Sequence, residues 1–170
     1  MGSVKAMSSL HIRGDKMNNS FFEKVIVKCL EPLDIQGSTG IVQIFGKNLT
    51  LICFSSNFRQ FSSLLPGSEV PVLLSLMTTN CSINNENTPI KKIESFRKLQ
   101  TPNHCILTGV LVEIDPKNFS VSNGQKMELI KKDYGIVDCG IYIEIELDAL
   151  DKYHIGDIIS AEGRLDIKKN

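Results

Sequence analysis

The chain has no tryptophan, aromatics make up only 6% of it, and its formal charge at pH 7 is zero. Zero net charge excludes a global electrostatic pull toward nucleic acid or anionic lipid, so either partner would need a local patch. No run approaches the ~20 apolar residues of a membrane span. The N-terminus also lacks the apolar core of a secretory signal. These features predict a soluble, cytoplasmic protein without a membrane partner.

The five cysteines, Cys29, Cys53, Cys81, Cys105 and Cys139, are too widely spaced for any metal-ligand or redox pair, and their odd number argues against a closed disulfide set. Cys53 and Cys105 sit in apolar runs, where free cysteine serves as a small buried apolar residue in a reducing compartment. The three histidines, His11, His104 and His154, lie in unrelated contexts. No phosphate loop or nucleophile elbow is present. His104 and Cys105 are adjacent on a strand-like run and therefore point to opposite faces, which rules them out as a base and nucleophile pair. No catalytic residue, metal or cofactor is expected. The Asn-X-Ser/Thr matches at Asn18, Asn48, Asn80 and Asn118, and the Arg13-Gly14-Asp15 tripeptide, carry no meaning without secretion.

What is present is an ordinary globular composition, 42% apolar and 22% charged in 170 residues, enough for one substantial core or two small ones. Charge is uneven: residues 91–132 carry eight Lys/Arg against four Asp/Glu, and 133–170 carry four against nine.

Residues 1–19 read as a flexible leader. Val25 to Leu30 is a β-rich run that Pro32 should end, and Gln36 to Gly40 reads as a turn. Ile41 to Phe54 reads as a hairpin turning at Gly46-Lys47-Asn48. Ser56 or Asn57 can cap a short helix over 57–65, which Pro66-Gly67 stops. Val70 to Met77 is a strand that, from Pro71, begins at an edge. Residues 78–89 read as loop, and Ile90 to Gln100 fits helix or strand, so 81–100 is linker or helix. His104 to Ile114 is a strand with Gly109 at its bend, Asp115 to Asn118 a turn, Phe119 to Gly124 loop or short strand, and Lys126 to Lys131 a strand. Ile141, Ile143, Ile145 and Leu147 alternate with Tyr142, Glu144 and Glu146, a strand with one buried and one solvated face. Glu144 and Glu146 would then lie on one face, roughly 7 Å apart by strand rise. That spacing permits acid-base work or cation binding, but a solvated pair is the plainer reading.

Two stretches about 90 residues apart, roughly the length of one small domain, repeat one order: strand, short polar or helical stretch, Gly-led strand. The first runs from Lys47 through Pro66-Gly67 to Met77, the second from Ile141 through Ile155-Gly156-Asp157 to Leu165. Gly140 to Leu147 with Tyr153 to Leu165 resembles the third and fourth strands of an oligonucleotide/oligosaccharide-binding (OB) barrel, with His104 to Ile114 as its bent first strand. Val25 to Met77 is similar in order. The resemblance implies a mainly β protein of two OB-like halves, 20–80 and 101–170. An OB barrel needs a fifth strand that the second half lacks. Either Ile158 to Lys168 splits at Gly163 or strands are shared between halves, giving one interlocked domain. Otherwise an edge would recruit a second copy and give a homodimer.

These features predict a non-catalytic binding or assembly module whose partner is a protein or a second copy. The alternative is single-stranded nucleic acid, held by aromatic platforms beside cations. Its candidates are Lys91, Lys92, Phe96, Arg97, Lys98, Phe119, Lys131, Lys132 and Tyr134. Asn118-Phe-Ser120-Val-Ser-Asn-Gly124 is also similar to the short motif of PilZ cyclic-dinucleotide receptors. Its glycine is one residue late, and the paired upstream arginines are missing apart from Arg97.

Overall fold

The computed structural model describes residues 21–34, 37–55, 66–85, 90–96, 103–123 and 126–169, without the side chains of 30–34, 37–38, 116–123, 126–132, 150 and 169. The expected leader over 1–19 and helix over 57–65 lie outside these residues. Nine strands account for nearly all of the described structure: β1 Glu23–Asp34, β2 Gly37–Ile44, β3 Thr50–Ser55, β4 Glu69–Ile83, β5 Lys92–Phe96, β6 His104–Asn123, β7 Lys126–Asp138, β8 Tyr142–Leu147 and β9 Ile158–Lys169. A 3-10 turn spans Leu150–Lys152.

The strands form two closed rings. One runs β1-β2-β3-β9-β4 and returns to β1, and the other runs β6-β7-β8-β4-β9 and returns to β6. Each is a five-stranded OB-like barrel, and each borrows its fifth strand from the other half. The borrowed strand enters beside the host's third strand in parallel, Phe54 beside Asp166 in one ring and Ser75 beside Glu144 in the other. The missing fifth strand is therefore supplied by sharing. The result is one interlocked domain with one core, and β9 runs unbroken through Gly163.

The shared strands β4 and β9 form a long antiparallel ribbon, from Val72 beside Lys169 to Ile83 beside Ile159. Leu76 pairs with Leu165 at its middle, where the halves are related by a pseudo-two-fold axis. The same devices recur on both sides of that axis. Strand β1 carries a bulge between Val27 and Cys29, and β6 carries one between Leu111 and Glu113. Val27 N–H donates to Ser68 O (3.0 Å) and Gly67 N–H to Val27 O (2.7 Å). In the second half Leu111 N–H donates to Asp157 O (2.9 Å) and Gly156 N–H to Leu111 O (2.8 Å). Gly67 and Gly156 adopt φ of 91° and 100°, a left-handed backbone that a side chain disfavours.

Period-two alternation sends Val70, Val72, Leu74 and Leu76 of β4 and Ile159, Ala161, Leu165 and Ile167 of β9 into the common core. Ile143, Ile145 and Leu147 of β8 join them, as expected. The third strand of each half has an edge that backbone pairing leaves uncovered, and a side chain from the other half caps it. Ser95 Oγ accepts from Ile52 N–H (2.7 Å), and Glu23 Oε1 accepts from Tyr142 N–H (2.9 Å).

Several boundaries differ from the sequence expectation, each because tertiary pairing overrides a local signal. Strand β1 passes Pro32, which sits at a register shift opposite Ser38, and β2 begins at Gly37, inside the expected turn. Strand β4 continues through the expected loop to Ile83 because β9 pairs with it throughout. Ile90 to Gln100 resolves, where described, as strand β5 against β6. The expected turn at Asp115 to Asn118 lies inside β6, paired with β7 to Asn123 beside Lys126. Pro71 is paired with Lys24 of β1 on one side and open on the other, one residue before the β9 pairing begins at Val72, so β4 begins at an edge and then runs between neighbours on both sides. Strand β6 passes from β9 pairing to β7 pairing around Gly109 and Val110. Gly109 permits close approach there, since a Cβ would lie 2.7 Å from the Asp138 carbonyl carbon.

Candidate functional site

On β9 the residues that alternate with the core set are Glu162, Arg164, Asp166 and Lys168, and they line the outer face of the shared ribbon. Directly opposite residues on paired strands share a face. Met77, Arg164, His104 and Phe96 therefore form one row across β4, β9, β6 and β5. Ile106 lies beside Glu162 in the next row. Met77 and Ile106 are exposed, at 52% and 39%.

Arg164 is fixed between two partners. Its guanidinium makes a two-point ion pair with Asp166 (2.6 and 2.8 Å) and lies 4.1 Å from the centroid of the Phe54 ring. Phe54 comes from the first half and Arg164 from the second. His104 is largely buried, with the Phe96 ring at 5.1 Å and Glu162 at 3.6 Å. Cys105, next in sequence, faces the core, so the two do point apart.

Glu144 corrects the expectation of two solvated carboxylates. It is 1% exposed, accepts from Ser75 Oγ (3.0 Å), and pairs with Lys168 Nζ at 2.9 Å. Lys168 Nζ also lies 5.8 Å from the Tyr134 ring centroid. Strand alternation assigns Glu144 to the face opposite Ile143 and Ile145, but could not reveal that Ser75 and Lys168 engage it there.

Of the sequence candidates, Lys91, Lys92, Phe96 and Tyr134 have described side chains, and each of these is engaged by another residue. Lys91 pairs with Asp138 at 2.5 Å, and Lys92 with Glu94 at 3.0 Å. Burial opposes ionisation of Asp138, but the Lys91 ammonium and the Gly140 N–H outweigh it and hold that carboxyl below its usual range. Phe96 packs on His104, and Tyr134 stands beside Glu146 in the ladder. Phe119 and Lys131 have paired backbones opposite Ile130 and Asn118, and Lys132 opposite Lys117, but their side chains are outside the described set. Arg97 and Lys98 are outside it altogether. The PilZ-like stretch 118–123 is part of the same β6–β7 ladder.

Among the described residues no three His, Cys, Asp or Glu side chains come together as a metal site. No described helix is long and apolar enough to cross a membrane. Burial pushes the Cys105 and Cys139 thiols up to about 12, and drives the Cys53 thiol higher still. No protein-family model matches the chain, and no curated protein matches it significantly.

The arrangement missed by sequence reasoning is the Met77, Arg164, Phe54 and Ile106 surface. Its signal was the alternation of charges with Ile159, Ala161, Leu165 and Ile167 along β9.

Proposed function

We propose that this protein is a non-catalytic binding or assembly module whose contact surface is the outer face of the shared ribbon. One observation carries the reading: exposed Met77 stands directly beside an arginine already held by Asp166 and Phe54, with exposed Ile106 in the next row. Methionine, arginine and aromatic side chains are the types enriched in protein interfaces, where pre-fixed anchors lose little entropy on docking. The partner is accordingly a protein.

The test uses affinity enrichment from the producing cells with the wild type, Met77→Glu and Ile106→Glu as baits. A defined partner retained by the wild type and lost from both variants, all equally folded by circular dichroism, supports the reading. Equal retention refutes the surface.

Single-stranded nucleic acid is the second reading, supported by the Lys168–Tyr134 and Arg164–Phe54 cation-aromatic pairs. Against it, Lys91, Lys92, Arg164 and Lys168 are each matched to a carboxylate. Salt-sensitive oligonucleotide binding, weakened by charge reversal at Arg97 and Lys98, would favour this second reading. Absence of binding at low salt would remove it.

A further inference from the structure

The surface each half presents to the other has the character of a protein core. Half one contributes β1–β4 and half two β5–β9, and each ring stays open until the other half inserts its strand. One covalent connection joins them, the chain from the end of β4 to the start of β5. We propose that this surface also accepts the complementary half of a second copy of the chain, so that two copies exchange halves into a dimer of otherwise identical barrels.

Geometry sets when exchange occurs. Ser82 pairs with Ser160, Ser160 with Thr108, and Thr108 with Lys92, so the connection must cross three strand spacings. That distance is about 14 Å. A covalent connection of this length holds its ends at an effective concentration of order 1 mM. Intramolecular closure therefore wins at low protein concentration, and exchange competes as the concentration during folding approaches that value. Both forms bury the same ribbon, Val72 to Ile83 against Ile159 to Lys169, so interconversion requires unfolding.

The experiment co-refolds two differently tagged full-length chains from denaturant, at about 1 μM and near 1 mM, and reads the mass by light scattering. The expected result is a dimer fraction at least tenfold larger at the higher concentration, carrying both tags, with no mixed dimer when native chains are simply combined. A variant lacking residues 84–91 leaves two residue steps, about 7 Å, between Ser82 and Lys92. It can close only by exchange, and should be an obligate dimer with the wild-type strand spectrum. A folded monomer from the deletion variant overturns the proposal. If that variant does not fold, co-refolding decides: monomer at every concentration, or mixed dimers formed without unfolding, overturns it equally.

Discussion

A methyl group placed at Gly163 would strike the centre of the interlock. A Cβ there would fall 2.9 Å from the Met77 carbonyl carbon and 3.0 Å from Thr78 Cα, with the Met77 oxygen nearer still. All three are backbone atoms of β4, so no side chain can swing aside. Relief requires parting β4 from β9 beside the register shift between Thr78 and Asn80. Overpacking of this kind costs about 1–3 kcal/mol, and each ladder bond weakened adds about 1 kcal/mol. Gly163→Ala should therefore lose about 2–4 kcal/mol, a large share of the 5–15 kcal/mol typical of a whole domain. Both barrels use this segment, so the loss should appear as one earlier transition. Because the chain has no tryptophan, urea unfolding followed by far-ultraviolet circular dichroism is the assay. A loss below about 0.5 kcal/mol, within the range of neutral surface changes, would refute the close approach. Two separated transitions would refute the shared core.

Three further perturbations have signs fixed by the structure. Lys168→Met removes the ammonium paired with the buried Glu144 carboxylate while Ser75 still donates to it, and should cost about 3 kcal/mol, whereas Glu144→Gln keeps an acceptor for Ser75 and releases a half-exposed lysine to water, costing about 1 kcal/mol. Equal losses in urea titration would contradict the burial of Glu144. The thiols of Cys105 and Cys139 are raised from 9.0 to about 12, so above pH 9 the unfolded chain ionises first. Stability should then fall by about 1.4 kcal/mol per pH unit per thiol up to pH 12; Cys105→Ala and Cys139→Ala should flatten the slope, and an unchanged slope sinks the assignment. Lys152 and Tyr153 hydrogen bonds lower Asp148 from 3.8 to about 2, so its contribution is complete above pH 4 and lost as pH falls toward 2. Asp148→Asn should leave acid unfolding shallower across that window, and an identical profile would count against the pairing.

The sequence made local elements legible and their partners much less so. Strand β8 was plain because Ile143, Ile145 and Leu147 alternate with polar residues, and the β2–β3 hairpin because Gly46 takes a left-handed φ of 72° between two β-rich runs. The second part of β4 looked like loop because Thr78 to Ser82 is polar on a face that stays wet. Its strand character comes from β9, more than 75 residues away in the chain. Partners at that separation leave no mark on a strand's own alternation. Glu144 shows the same limit, since periodicity assigns a face but cannot show what covers it.

Interlocking also bears on where a partner surface can exist. Met77 and Phe54 come from the first half, and Arg164 and Asp166 from the second, yet Arg164 is held by Phe54 and stands beside Met77. Two separate barrels would carry these residues on unrelated surfaces. Here they meet only because β9 enters the first barrel beside β3, in the step that also completes the core. The proposed contact surface and the cooperative fold are thus one structure. A change that opens the ribbon, such as Gly163→Ala, should weaken partner binding through the population of intact ribbon, and stabilising the ribbon elsewhere should restore it.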